Sequence, residues 1–184
     1  MVARIYPVNV SDGIKVNGAV DLGDPTARFK DLYLSGGVVF GATGGSVSSK
    51  TLDDYEEGTW TPAFTGNDSG TSTQTVNAAT YTKIGRAVHV TCYLSNVNMS
   101  SLLGASINLT GLPFTCSSFQ NFTAGYCNLF TFDEEDIGVG GYVTNGTTSC
   151  RMLKGSSTTS INATSEATTT SGLIMITFTY QTSA

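Results

Sequence analysis

The sequence has few charged side chains and no long apolar stretch. Charged residues make up 12% of the chain, which is about half of the share in an ordinary soluble domain. Nine Lys and Arg stand against fourteen Asp and Glu, giving a net charge of -5. This balance argues against a nucleic-acid partner, because counterion release from phosphates requires a basic face. No run of about 18 apolar residues occurs, so no membrane-inserting segment is predicted.

Residue patterns for catalysis and metal binding are also missing. His89 is the one histidine, so a Ser-His-Asp or Cys-His arrangement within a subunit could form only around it. Neither a Gly-x-Ser-x-Gly motif nor a phosphate-binding loop is present. The cysteines include no Cys-x-x-Cys pair, which argues against a zinc site. We therefore predict a protein that is not an enzyme and needs no cofactor.

The four cysteines are Cys92, Cys116, Cys127 and Cys150. Their even number would permit two disulfides in an oxidising compartment. The first seven residues, however, show no charged-then-apolar signal peptide. We expect the thiols to be reduced and to lie in the core, where free cysteine is often found.

What the chain does contain is many short stretches rich in Val, Ile, Thr, Tyr and Phe, separated by Gly, Asn, Asp and Ser clusters. This spacing is typical of a sandwich or barrel, and no segment keeps a helical pattern of apolar residues for three turns. We predict an all-β fold with an antiparallel β-sandwich. The expected strands cover about 59–65, 74–84, 86–97, 105–110, 114–119, 123–132, 137–143, 148–154 and 173–182.

Two of these strands alternate regularly between apolar and polar residues. We expect a buried face made of Val88, Val90, Cys92 and Leu94 in one strand, and of Ile174, Ile176, Phe178 and Tyr180 in the other. The closing strand is predicted to lie inside a sheet, and His89 to face solvent or a neighbouring subunit. The span 155–171 is predicted to be a weak strand within a long exposed loop.

The first 50 residues differ in composition from the rest of the chain. They form short extended pieces, each too poor in apolar side chains to offset ordering costs of about 1–2 kcal/mol per residue. Three copies wound about one axis could hide one another's apolar faces, and a flexible linker is the alternative. We expect an extended segment at 1–50, a junction at 51–62 and a sandwich domain at 63–184.

Four segments of the chain resemble proteins of tailed bacteriophages. Residues 21–37 end in Arg-Phe-Lys-Asp-Leu-Tyr-Leu-Ser-Gly-Gly, which is similar to a phrase that recurs in phage tail fibres. Residues 52–62, Leu-Asp-Asp-Tyr-Glu-Glu-Gly-Thr-Trp-Thr-Pro, resemble the opening of the carboxy-terminal β-domain of tail-fibre and tail-tip proteins. Residues 81–90 and 109–114 resemble the second and middle strands of that domain. The segments occur in the family's order.

This resemblance implies a homotrimer with a short intertwined β-rich shaft and a jelly-roll-like head. It further implies a virion protein, assembled in the bacterial cytoplasm, that attaches to other phage tail proteins through its amino-terminal segment. Its function would be adsorption to a glycan or outer-membrane receptor on the host surface. A structural tail or adaptor protein without host contact is one alternative, and a polysaccharide depolymerase is another.

The candidate functional residues fall into two groups. Residues expected to pack in the trimer or at the junction are Phe29, Leu32, Leu34, Tyr55 and Trp60. Trp60 could instead be a platform for sugar stacking. Loop residues expected to contact a receptor are Asn96, Asn98, Asn121, Asp133, Glu134, Glu135, Asp136, Tyr142 and Asn145, because neutral glycans are bound by stacking and by hydrogen-bonding pairs.

Two acidic runs have alternative interpretations. The run 133–136 could supply carboxylates for glycoside hydrolysis or bind Ca²⁺, but consecutive loop acids lack a fixed separation and a solvated hairpin turn is favoured. Asp53, Asp54, Glu56 and Glu57 could converge on a metal ion near a threefold axis. Salt bridges to a basic residue of the same or a neighbouring chain are favoured, the candidates being Arg28, Lys30 and Lys50.

Overall fold

The computed structural model describes residues 25–26, 30–35, 38–39, 51–52, 54–123, 125–128, 139–154, 160–161 and 170–183. The described residues contain strands and no helix, so the predicted all-β fold is confirmed. The strands are β1 Val38–Val39, β2 Thr51–Leu52, β3 Tyr55–Thr59, β4 Ala63–Gly66, β5 Thr73–Ile84, β6 Ala87–Asn98, β7 Ile107–Thr110, β8 Gln120–Thr123, β9 Tyr126–Cys127, β10 Val139–Val143, β11 Ser149–Lys154 and β12 Gly172–Gln181. The chain divides into two compact units, residues 1–35 and 36–184.

Two five-stranded sheets form the larger unit. The first sheet has the order β4-β7-β11-β10-β8, and the second has the order β3-β5-β6-β12-β9. Neighbouring strands in both sheets are antiparallel. The closing strand β12 lies between β6 and β9, so its predicted place inside a sheet is confirmed. A separate pair is formed by β1 and β2.

The core lies between the inner faces of these two sheets. The predicted apolar faces of β6 and β12 are buried, including Leu94 and Tyr180, which have no exposed surface. The ring of Phe122 from the first sheet stacks on Phe178 from the second, with 4.7 Å between ring centroids. Alternation along each strand thus provides one apolar face per sheet, and the arrangement is consistent with a β-sandwich.

Some predicted strands differ from the observed ones. The segment 114–119 forms no strand. The backbone N–H of Phe114 donates to a side chain, the Tyr180 hydroxyl, at 3.1 Å and not to the backbone of a neighbouring strand. In the segment 123–132, the described strand residues are Thr123 at the end of β8 and the two residues of β9. Conversely, the predicted junction contains β3, the edge strand that pairs with β5.

One residue of the predicted loop 155–171 belongs to the core. Ile161 is fully buried, and its backbone N–H donates to Met152 O at 3.3 Å. Most of that loop, like most of residues 1–50, lies outside the described residues. The division into extended segment, junction and head therefore stays a prediction. Within the described ranges no helix has the length and hydropathy of a membrane span.

No disulfide joins any of the four cysteines, as predicted. Cys92, Cys116 and Cys150 are buried, whereas Cys127 is half-buried. Burial raises the pKa of Cys92 from 9.0 to about 12, and burial also raises the pKa of Cys150. Both thiols are therefore protonated and poorly reactive at neutral pH, since the thiolate is the nucleophile.

We expect a thiol reagent at mildly alkaline pH to label Cys127 in the folded protein and all four cysteines after unfolding in denaturant. The raised pKa of Cys92 means that the folded state favours the protonated thiol. The stability that this thiol contributes is present below about pH 9 and is lost as pH rises toward about 12, because the unfolded chain ionises first. Peptide mass spectrometry after timed labelling would locate the modified thiols. Labelling of Cys92 or Cys150 as fast as Cys127 would contradict their burial.

Candidate functional site

A row of five side chains crosses the outer face of the first sheet. In strand order it contains Thr65, Asn108, Arg151, Tyr142 and Asn121, and each residue pairs in register with the next. We call this set the polar row. Since neighbouring strands lie about 4.8 Å apart, the row spans roughly 19 Å.

The alternation of β10 and β11 explains why two members of the row face outward. In β10, Val139 and Val143 are buried, and Tyr142 between them is half-buried. In β11, Cys150 and Met152 are buried, and Arg151 between them is half-buried. Successive side chains of a strand point to opposite faces, so the buried residues place Tyr142 and Arg151 side by side on the outer face.

Gly141 allows β10 and β11, the strands that carry Tyr142 and Arg151, to approach each other. A Cβ at this position would lie 2.0 Å from the Arg151 carbonyl oxygen and 2.9 Å from the Phe122 ring. A larger residue would therefore push β10 away from β11 or displace the Phe122 ring. Glycine here keeps Tyr142 next to Arg151 on one face while Phe122 fills the core on the other.

An exposed aromatic side chain lies beside Tyr142 of the polar row. Phe119 keeps 66% of its surface exposed. Its ring centroid lies 6.0 Å from that of Tyr142, with 59° between the ring planes. The two rings provide a small apolar surface beside the exposed Asn121 amide.

Arg151 is the one charged member of the polar row. Its Nη1 donates a long hydrogen bond of 3.5 Å to Ser160 Oγ. The ion pairs of the described residues are Lys30–Asp31 and Lys83–Asp54. Within the described part of the chain the Arg151 guanidinium therefore has no carboxylate partner, and its planar group of N–H donors is suited to a carboxylate.

The predicted receptor residues do not form one cluster. Asn121 and Tyr142 are direct neighbours in the polar row, and Asn145 is exposed in the turn after β10. Asn96 and Asn98 lie on β6 of the second sheet: Asn96 Nδ2 donates to Thr75 Oγ1 at 3.3 Å, and Asn98 Oδ1 accepts from Ser100 N at 3.0 Å. The acidic run 133–136 lies outside the described residues.

Sequence reasoning missed four residues of this surface, namely Thr65, Asn108, Phe119 and Arg151. The alternation of Arg151 with Cys150 and Met152 is visible in the sequence and indicates an outward-facing cation. The pairing of β7 with β11, which puts Asn108 beside Arg151, depends on strands about forty residues apart and gives no local signal.

The predicted packing residues lie in different environments. Leu32 and Leu34 are exposed within the single chain, as is Tyr55, and Phe29 lies outside the described residues. Trp60 is buried by its own chain, with its indole N–H donating to Thr91 O at 3.1 Å. Little of the Trp60 side chain is therefore left for a second subunit or a sugar ring.

The junction acids find partners within their own chain that the sequence analysis did not consider. Asp54 forms an ion pair with Lys83. Glu56 accepts a hydrogen bond from the Tyr81 hydroxyl, which raises the pKa of Tyr81. A hydrogen bond to Glu57 likewise raises the pKa of Tyr55.

Lys30 pairs with the adjacent Asp31 at 3.8 Å, and its predicted salt bridge to these acids, in the same or a neighbouring chain, stays a prediction. Arg28 and Lys50, the other candidates, lie outside the described residues, as does Asp53. Among the residues that the structure describes, no group of three or more His, Cys, Asp or Glu is placed to hold a metal ion.

His89 lies on the outer face of the second sheet, as expected from its alternation with buried residues. It is exposed, and its Nδ1 lies 3.1 Å from Thr179 Oγ1.

Comparison of the whole chain with models of known protein families finds no match. Comparison with curated proteins finds no significant match.

Proposed function

We propose that this protein is a homotrimeric subunit of a bacteriophage tail fibre that adsorbs the virion to a glycan on the host surface. The resemblance of residues 21–37 and 52–62 to phage fibre sequences supports the family. The all-β fold with its two antiparallel sheets is compatible with a jelly-roll-like head. Adhesion requires a binding surface and no catalytic group.

The polar row is the observation that carries this proposal. Glycans present hydroxyl groups on the ring edge and C–H groups on the ring face, so they are bound by hydrogen-bonding side chains next to aromatic rings. The row places the Asn121 amide beside Tyr142, and the Phe119 ring lies 6.0 Å from the Tyr142 ring. An open surface of this kind binds one sugar weakly, and three copies in a trimer give avidity.

Exposed apolar side chains in the amino-terminal segment support the trimer. Leu32, Tyr33 and Leu34 are consecutive and all exposed in the single chain. Consecutive exposed apolar residues are characteristic of surfaces that another protein covers. Identical segments wound about a threefold axis would cover them in the way that the fibre resemblance implies.

We expect Tyr142→Ala to weaken binding of the purified protein to bacterial surface glycans about tenfold, equivalent to roughly 1.4 kcal/mol, because it removes the ring on which a sugar would stack. Binding would be measured on an array of bacterial surface polysaccharides and then by titration of whole cells. Tyr126→Ala is the matched control, since Tyr126 is also exposed but lies on the second sheet. It should leave binding unchanged.

Analytical ultracentrifugation of the same preparation tests the trimer. A monomer at every concentration, together with an array on which nothing binds, would overturn the proposed function. Equal losses in Tyr142→Ala and Tyr126→Ala would show that the polar row is not the binding surface.

A further inference from the structure

We propose that the polar row recognises an acidic saccharide, with the Arg151 guanidinium pairing with a carboxylate of the sugar. This inference rests on the proposed function, because it names the class of glycan that the same surface would bind. A uronic acid or another carboxylated sugar has the required chemistry: a ring with an apolar face, several hydroxyl groups and one negative charge.

The position of Arg151 is the first argument. It lies on β11, the middle strand of the first sheet, between Asn108 on one side and Tyr142 on the other. A carboxylate bound there would be reached by a planar fork of N–H donors, and the attached ring could lie over Tyr142. Asn108 could donate to or accept from a hydroxyl group on the opposite side.

Charge is the second argument. The other four members of the row are uncharged residues, two Asn, one Thr and one Tyr. Arg151 is half-buried, and among the described residues its guanidinium makes the 3.5 Å bond to Ser160 Oγ and has no carboxylate partner. Hydrogen bonds between two charged groups are stronger than those with a neutral partner, so a sugar carboxylate is bound more tightly here than a neutral hydroxyl group.

The surroundings favour a carboxylated sugar over a densely charged polymer. The chain carries a net charge of -5, which opposes the approach of a nucleic acid with its continuous row of phosphates. One cation matches one negative charge per sugar residue. The adjacent rings of Tyr142 and Phe119 suit the face of a pyranose, which distinguishes a carbohydrate from a simple anion.

The test uses an array of uronate-containing bacterial polysaccharides, each printed beside its carboxyl-reduced form, in which the carboxylate has become a neutral alcohol. We expect the protein to bind at least one acidic polysaccharide at least tenfold better than its reduced form, and to lose this preference at high salt. Arg151→Gln should remove the preference, since glutamine keeps hydrogen-bonding groups without the charge. Arg151→Lys, which keeps the positive charge, should retain part of the preference that Arg151→Gln loses.

A second variant protects the test against misfolding of the Arg151 variants. Asn108→Asp keeps Arg151 but places a carboxylate beside it in register, and this internal partner should compete with the acidic sugar and abolish the preference. If wild type binds the acidic and reduced forms equally well, the acidic-sugar inference is overturned while the proposed function stands. If it binds neither form nor any neutral polysaccharide, the proposed function falls as well.

Discussion

Replacing Phe178 by alanine is expected to lower the free energy of unfolding by about 3–5 kcal/mol, the range measured for large aromatic residues in protein cores. Phe178 is 7% exposed and stacks on Phe122 of the opposite sheet, with 4.7 Å between centroids and 22° between the ring planes. The Phe178 ring also lies next to the Tyr180 ring, with 6.1 Å between their centroids. The substitution removes a contact that joins the two sheets and leaves a cavity at their interface.

Urea unfolding followed by tryptophan fluorescence would measure the change, since Trp60 is buried in the same core. Variants should be compared at one protein concentration, because association shifts apparent stability. Phe119→Ala is the matched control: Phe119 is 66% exposed, so its loss should change stability by no more than about 0.5 kcal/mol. Equal destabilisation by both variants would contradict the core position of Phe178.

The same pair of phenylalanines separates stability from binding. Phe178→Ala acts on the interface between the sheets and should unfold the protein at lower denaturant concentration. Phe119→Ala should leave the fold intact and weaken glycan binding, because Phe119 extends the aromatic surface next to Tyr142. Two substitutions of one residue type thus report on the core and on the candidate site independently.

The sequence was most informative where a strand alternates over many residues. In β6 and β12 the period-two pattern identifies the buried face correctly, as Val88 and Tyr180 illustrate. The pattern failed at 114–119, where Phe114 and Cys116 pack against the core without forming a strand, and at β3, where the acidic residues of the junction concealed an edge strand. An edge strand with one solvated face needs few apolar side chains, so its composition resembles that of a loop.

The candidate site was predictable only in part for a related reason. Alternation shows which face a residue occupies, and turn chemistry suggests which side chains are exposed, so Asn121 and Tyr142 could be named. Neither pattern shows which strands are neighbours in the sheet. The order β7-β11-β10-β8 in the first sheet is set by pairing between segments far apart in sequence, and this order alone brings Asn108 and Arg151 into line with Tyr142.

Trp60 illustrates how a packed residue can be identified without its partners. Its place at the junction predicted a packed interface anchor, and the residue is buried. The hydrogen bond from its indole N–H to Thr91 O, 31 residues away, holds it against β6 within its own chain. A contact between distant segments decided the environment of this residue, and no local pattern encodes that contact.

Removal of Asp54 is expected to cost more stability than removal of Lys83, although the two form one ion pair. The Lys83 side chain is only 7% exposed, whereas that of Asp54 is 45% exposed. Asp54→Ala leaves a buried ammonium group without its partner, and we expect a loss of about 3 kcal/mol, the low end of the range for a broken buried pair. Lys83→Met leaves a carboxylate that water can reach, and methionine can still pack against the Phe114 ring that lies 5.5 Å from Lys83 Nζ.

The double variant provides the decisive comparison. Because Lys83→Met removes the charge that Asp54→Ala leaves unpaired, the two substitutions together should be more stable than Asp54→Ala alone, by about 2 kcal/mol on the same estimate. Asp31→Ala is the control, since it breaks the exposed pair with Lys30 and should cost less than about 1 kcal/mol. Urea unfolding of the four variants would measure these differences. Additive losses in the double variant would mean that Lys83 is solvated in the folded protein, which would contradict its burial. Asp54 would then be an ordinary surface residue.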